Sequence, residues 1–176
     1  MAHHALDITR LDAVEAQALL PGLIHLLRET VESGASIGFW SPLAEATAAE
    51  YWRDVIADVD ADRRVLLVAR QGQAIVGSVQ LEPAHKRNGA HRAEVQKLMV
   101  TLAARRQGIG RTLLDAIEDE ARLDGRTLLV LDTQRGSPAE ALYAQHGYTR
   151  VGVIPGYTVE ADGSHDDTVI FYRQLS

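Results

Sequence analysis

Cysteine is missing from all 176 residues, which excludes disulfides, thiolate catalysis and Cys-ligated metal. Basic side chains are in deficit: 18 Lys and Arg stand against 24 Asp and Glu, for a formal charge of −6. A chain of that sign has no general attraction for nucleic acid or an anionic membrane, so any cluster of arginines has a local purpose. No run reaches the roughly 18 apolar residues of a membrane span, and the start MAHHALDITRLD lacks the apolar segment of a secretory leader. These absences predict a soluble cytoplasmic protein. Linkers and low-complexity stretches are missing too, so 1–176, with 46% hydrophobic content, reads as one domain with a sizeable core. Nothing in it excludes a homodimer. The 7 histidines include no pair at the i, i+4 spacing of a helical metal site, and no metal is expected.

What is present is concentrated between Ala93 and Leu123, where an apolar strand runs through a basic, glycine-containing turn into a long amphipathic helix. This stretch reads as a phosphate cradle. Gly108 and Gly110 let the backbone approach a ligand with no Cβ in the way. The amides from Arg106 to Arg111 would stand unpaired at a helix N-terminus, pointing at an anion. Arg105, Arg106 and Arg111 add positive charge to an otherwise acidic chain. RRQGIGRTLL fits neither the GxxxxGK[ST] nor the GxGxxG phosphate loop.

Along the rest of the chain, Leu6 to Leu11 alternates like a short strand, and Asp12 caps a helix that Pro21-Gly22 kinks or divides. Glu32 to Trp40 mixes glycines with small polar and aromatic residues before Ser41-Pro42 opens a second helix through about Val59. A mobile loop there would shape a pocket, with Ser36, Phe39 and Trp40 lining it, or with both rings simply packed on the core. Arg64 to Arg70 and Ala74 to Leu81 form a hairpin, followed by a polar excursion at Glu82 to Ala90 that is solvated or steers an acidic acceptor. A strand at His91 to Val100, a helix at Gly108 to Asp124 and a continuously apolar strand at Thr127 to Asp132 come next. A short helix from Pro138 to His146, a strand from Tyr148 to Val153 and a last strand from Thr168 to Gln174 complete the pattern. The segment between those two strands, PGYTVEADGSHDD, reads as a long polar loop at the pocket mouth, with Tyr157 facing the acceptor. The pattern predicts a mixed α/β fold, a twisted sheet of about seven strands flanked by four helices, with ligands beyond strand ends near helix N-termini.

Arg105-x-x-Gly108-x-Gly110 directly after a strand, followed by Ala139, Leu142, Tyr143, Gly147 and Tyr148 in an A-x-x-x-Y-x-x-x-G-[FY] arrangement, resembles the GNAT family of acetyl-CoA-dependent N-acetyltransferases. The resemblance covers at least Val65 to Gln174. Through AEVQKLMV, LDT, GSPAEALY, YTRVG, PGY and ETVESGAS it is closest to the tabtoxin-resistance type. It implies the GNAT acyl-CoA N-acyltransferase fold, with acetyl-CoA as cosubstrate. Backbone groups of Leu98, Met99 and Val100 would pair with the pantetheine arm. The amides of Arg106, Gln107, Gly108, Ile109, Gly110 and Arg111, beside Arg105 and Thr112, would hold the pyrophosphate, with Ala139 on the same cofactor. Many members have Asn where this chain has Gly136, so a backbone group or Ser137 takes that contact.

A thioester is already activated, so such an enzyme has to hold an amine, remove its proton and stabilise charge. Glu94 is the candidate base. It lies four residues before Leu98, roughly 13 Å along an extended strand, so a bound acceptor or a water bridges the gap. Asp132 is the alternative base or the partner of the acceptor's ammonium. The bland alternatives are an ion pair of Glu94 with Arg92 or Lys97, and a turn or N-cap role for Asp132. Tyr143 corresponds to the family tyrosine that protonates the departing thiolate, or else is a packing ring. The expected acceptor is a small-molecule amine, amino-acid-like or antibiotic- or toxin-like. A protein or peptide amine and a non-catalytic acetyl-CoA-binding regulatory role are the rival readings, and the joint presence of Glu94, Asp132 and Tyr143 favours an enzyme.

Overall fold

A computed structural model describes residues 5–176, and His3 and His4 lie outside it. The chain runs β1 (Leu6–Arg10), α1 (Ala13–Ala18), α2 (Leu20–Glu32), α3 (Glu45–Asp60), β2 (Val65–Gln71), β3 (Ala74–Pro83), β4 (Arg92–Val100), α4 (Ile109–Leu123), β5 (Leu128–Gln134), α5 (Pro138–Gln145), β6 (Thr149–Val159) and β7 (His165–Gln174). One sheet holds the seven strands in the order β1-β2-β3-β4-β5-β7-β6. Its β4–β5 pair is parallel and the rest are antiparallel. Among the described residues no helix is long and apolar enough to cross a membrane.

Local chemistry sets the element ends. Asp12 and Glu15 form a reciprocal capping box, the Glu15 amide donating to Asp12 Oδ1 at 2.7 Å and the Asp12 amide to Glu15 Oε2 at 3.0 Å. Proline cannot donate into the preceding turn, and Pro21 in the first turn of α2 divides the expected first helix at Leu19. That raises the helix count from the expected four to five. α3 begins at Glu45, not at Ser41-Pro42, because the chain reaches the helix extended through Ala44 with Leu43 buried.

Strand alternation sorts side chains into two cores. Leu67, Val79, Leu81, Val95, Leu129 and Phe171 pack with Leu113, Leu114 and Ile117 of α4. Leu66, Val68 and Met99 pack on the other face with Leu23, Leu27 and Trp52 of α2 and α3.

β4 breaks this alternation. Gln96 pairs with Gln80, but Met99 pairs with Ser78, so one extra residue is inserted opposite β3, at a bulge where Lys97 takes φ 50°. Val95 therefore belongs to the α4-side core and Met99 to the α2–α3 side, although both are odd positions on one strand.

The expected polar loop after β6 is instead a β-ribbon. Thr158 pairs with Asp166 and Val159 with His165, leaving only a tight turn around Asp162. The Gly156 amide donates to Asp167 Oδ1 at 3.0 Å and Gln134 Nε2 to Asp166 Oδ2 at 2.6 Å, which ties this polar ribbon to β5.

Trp52 is fully buried, meets Tyr51 edge-on at 5.3 Å between ring centroids, and has an unpartnered indole N–H. Trp52→Ala is expected to cost about 3–5 kcal/mol in chemical denaturation, and Trp52→Phe much less, because Phe keeps most of the packing and removes the unpaired donor.

Candidate functional site

The cradle forms where α4 begins. Gly108 caps the helix at φ 82°, a conformation that costs a residue with a Cβ, and no side chain caps the first turn. The leading amides of this 15-residue helix therefore stand without intrahelical partners, at the positive end of its dipole. Gly110 borders the cleft and is constrained by packing as well: a Cβ there would lie 3.1 Å from Leu142 Cδ2 on α5. Arg106, at φ 61°, and Arg111 border the cleft in front of these amides. Arg105 is largely committed to the fold, donating from Nε to the Val100 carbonyl at 3.1 Å and from Nη2 to Ser33 Oγ at 3.0 Å. Gln107 turns back to the Ala103 carbonyl, and Thr112 Oγ1 to that of Gly108.

Beside the cradle the sheet opens. β4 pairs with β5 only over Arg92, Ala93 and Glu94, while on its other side it stays paired with β3 up to Val100. The β5-facing backbone edge beyond Glu94 is left without a strand, ready to accept an extended ligand as an added one. A cleft of about 710 Å³ occupies this opening, bounded by 33–37, by Leu98, Met99 and Val100, by the cradle and by 133–139. Ser36, Arg105, Gly108, Ile109, Ser137 and Ala139 all border it, whereas Gln107, Thr112, Tyr143, Glu94 and Asp132 do not. Gly136, at φ 77°, makes the turn into α5 and donates its amide to Glu140 Oε2 at 2.6 Å. Ser137 caps α5, its Oγ accepting from the Glu140 amide at 3.3 Å, and lies 3.1 Å from Thr133 Oγ1. Thr133, which the sequence did not single out, thus joins Ser137 on the wall where the usual asparagine is missing.

Glu94 is the last paired residue before the split, and Asp132 lies two residues past its partner Val130 on β5, so the two carboxylates flank the vertex. Glu94 forms no ion pair with Arg92 or Lys97 within 4.0 Å among the described residues. Burial chiefly raises its pKa, with Asp132 and Glu82 adding to the rise and Gln96 and Arg64 opposing it. Asp132 lies within β5 as a strand residue, with Thr168 Oγ1 donating to its Oδ2 at 2.9 Å. Tyr143 is only 6% exposed and packs on Tyr148 and Phe171. Burial first and Asp132 second drive its pKa far upward, so its hydroxyl keeps its proton at any working pH.

Behind Glu94 stands a polar network that strand patterning did not reveal. Arg64 donates to Gln80 at 2.7 Å, Gln96 at 3.2 Å and Glu82 at 2.8 Å. Gln80 Nε2 donates to the Tyr51 hydroxyl at 2.9 Å, and burial pushes Tyr51 up to about 12. The one sequence signal was Gln80 inside an apolar strand, where an unpaired amide would be costly.

The segment between α2 and α3 and the β6–β7 ribbon are clasped together. Trp40 Nε1 donates to the Val159 carbonyl at 2.9 Å, and Ser36 Oγ to Glu160 Oε1 at 3.2 Å. Phe39 packs on the core against Tyr51, whereas Trp40 is 59% exposed and Tyr157 53%. None of these three rings borders the cleft. Among the described residues no group of three or more His, Asp or Glu could hold a metal ion.

Because Gly110 faces Leu142, Gly110→Val is expected to lose about 1–3 kcal/mol of stability by overpacking, and adding Leu142→Ala should restore part of it. Denaturation of the two variants decides. A single variant as stable as wild type would show that Leu142 yields without cost.

A family model for the acetyltransferase (GNAT) domain matches residues 62–150, from the network arginine through the cradle to the start of β6. An uncharacterized N-acetyltransferase of the hisH-hisA intergenic region of Azospirillum brasilense is 35% identical over 116 residues, covering 63% of this chain and 67% of the relative. The IAA acetyltransferase of the same organism is 37% identical over 92 residues, covering 52% of this chain and 58% of the relative. Among solved structures, that of yncA from Salmonella typhimurium with its cofactor acetyl-CoA superposes with a TM-score of 0.77 at 19% identity, covering 98% of this chain and 95% of the other. The matched region contains both the split strand pair and the uncapped helix, and on that agreement of sequence with geometry the chain belongs to the GNAT acetyltransferase family.

Proposed function

We propose that the protein transfers the acetyl group of acetyl-CoA to a primary amine of a small molecule, and that 1–176 acts as one catalytic domain. The observation that carries this reading is the free β4 edge beside the uncapped N-terminus of α4: the edge suits a pantetheine amide chain and the helix end suits a pyrophosphate. Leu98, Met99 and Val100 would bond the arm through their backbones, and the amides of Arg106 to Arg111, with Arg106 and Arg111 beside them, would hold the phosphates. Thr133 and Ser137 supply hydroxyls on the facing wall. Acetyl-CoA, when bound, supplies an activated thioester.

Glu94 removes the amine proton through the acceptor or one water, while Asp132 holds the ammonium before transfer or serves as the base in its place. Tyr143 gives its proton to the departing sulfur and regains one from solvent after transfer; burial raises its pKa, which keeps the proton in place until the thiolate forms. Ser36, Trp40 and Tyr157 stand on the clasp through which an acceptor would enter, and Phe39 supports it from behind. The likeness to the tabtoxin-resistance type supports an amino-acid-like or toxin-like acceptor, and the A. brasilense relative named for IAA supports a small molecule.

Calorimetry with acetyl-CoA, followed by a mass-spectrometric screen of amines, tests the reading, and a folded protein that binds no acetyl-CoA would end it. Glu94→Gln is expected to lower turnover and leave acetyl-CoA affinity unchanged. Because burial raises the Glu94 pKa, the base form accumulates only above the ordinary carboxylate range, so wild-type kcat/KM should rise with pH through that displaced pKa. In Glu94→Gln that limb should vanish, with partial recovery at high pH, where more of the acceptor is neutral. An unaltered acid limb would assign the base to Asp132.

Tyr143→Phe is expected to slow single-turnover transfer on the order of 10²-fold, with little change in acetyl-CoA affinity, since the sulfur carries little charge before transfer. Equal single-turnover rates would leave Tyr143 as packing alone.

A further inference from the structure

The bulge in β4 re-aims one cation. In an unbroken strand Lys97 would face α4 with Val95, but at φ 50° it shares the opposite side with Gln96 and reaches the segment between α2 and α3. Its Nζ donates to the Ile37 carbonyl at 2.6 Å, and that is its one hydrogen bond among the described residues. An ammonium has three N–H donors, so two remain unused. The group is partly buried, Asp132 and Glu94 lie within electrostatic reach but form no ion pair with it within 4.0 Å, and Arg64 opposes its charge. Arg64, the other cation there, is already bound to Glu82, Gln80 and Gln96.

Such a cation beside two carboxylates presents a problem of charge. Glu94 and Asp132 attract an acceptor ammonium, while Lys97 repels it. A plain amine would therefore be opposed by a buried charge, and a cation kept here is more useful if the acceptor brings an anion of its own. We infer that Lys97 is a specificity residue that receives the carboxylate of the acceptor, so that the substrate is a zwitterionic amino acid held with its amine toward Glu94 and Asp132 and its carboxylate toward Lys97. The inference rests on the acetyl-transfer reading above and names its substrate class. Burial lowers the Lys97 pKa, and an arriving carboxylate relieves that penalty by supplying the missing counter-charge. Ile37 borders the cleft, so the lysine that bonds to it stands beside the route by which the acceptor meets the cofactor.

The bland alternative is a tether, in which Lys97 only fastens Ile37 to the strand. Paired substrates separate the two. Amino acids and their carboxamides, identical except for the charged group, are compared by kcat/KM with wild type, Lys97→Gln and Lys97→Arg. Wild type is expected to favour the acid by about 10- to 100-fold, the scale of one charge-assisted hydrogen bond. Lys97→Gln should bring that ratio close to one, chiefly by raising the acceptor KM, with acetyl-CoA affinity unchanged by calorimetry. Lys97→Arg, which keeps the charge, should restore part of the preference. Equal losses for acid and amide in Lys97→Gln, together with faster hydrogen exchange at 34–40, would establish the tether and overturn the assignment. So would a wild type that acetylates the carboxamides as well as the acids. A protein that binds acetyl-CoA yet acetylates no amino acid of the set refutes the carboxylate receptor alone. One that binds no acetyl-CoA refutes the acetyl-transfer reading beneath it.

Discussion

The backbone of β4 carries hydrogen-bonding groups along both edges, and only the edge facing β3 is paired up to Val100. Buried backbone groups must find partners, so the free edge beyond Glu94 dictates what the neighbouring elements can be. α4 has to begin where that edge ends, and its uncapped amides extend the row of unused donors around the corner. α5 has to stand back far enough to leave the opening, which the Gly110–Leu142 contact and the cap at Ser137 enforce. A cleft assembled this way is recognised mainly through main-chain atoms. Its chemistry depends on where strands part company more than on which side chains line it.

The charged groups around the vertex are ordered by the same geometry. Register places Glu82 opposite Glu94 and Gln80 opposite Gln96, so Arg64 reaches across two strands and neutralises one carboxylate while leaving the other free. Glu94 thus keeps a raised pKa in a half-buried position with its hydrogen-bonding neighbours fixed. On the far side of the sheet another buried carboxylate, Glu118 of α4, lies 3.3 Å from both His146 Nε2 and Arg173 Nη1. Those contacts hold the end of α5, three residues beyond Tyr143, against α4 and β7. In the proposed mechanism the Tyr143 hydroxyl meets a sulfur, and such a support would limit displacements that cost rate.

The parts legible in the sequence were those whose physics is local. Glycines spaced between a strand and an amphipathic helix announced the cradle, the Asp12 cap announced α1, and apolar runs announced β2 to β5. Pro21 divided a helix, as a residue without an N–H should. The parts that escaped depend on contacts between distant segments. The β6–β7 ribbon is solvated on both faces and has no apolar alternation to betray it, so its residues resembled a loop. Arg64 looked like the start of a strand until β3 and β4 brought Gln80, Glu82 and Gln96 to it. Gly110 read as a ligand contact, and the second constraint on it, a leucine of another helix, had no sequence signal. The bulge at Lys97 left no mark at all, since nothing in VQKLM distinguishes a strand with one residue too many.

That surplus residue gives β4 a property unlike those of its neighbours. Side chains alternate with a period of two, so a change of one in the count reverses the face of everything beyond it. The bulge absorbs that change: Lys97 and Leu98 share the place opposite Val79, so Gln96 still meets Gln80, Met99 still meets Ser78, and both halves keep their faces. Removing Lys97 would straighten the ladder and leave those pairs as they are, with Leu98 alone opposite Val79. Met99 would stay on the α2–α3 side and Glu94 at the vertex. β4 can therefore be shortened here without exchanging its two cores, whereas a length change elsewhere in the strand, with no surplus residue to absorb it, would reverse one end against the other.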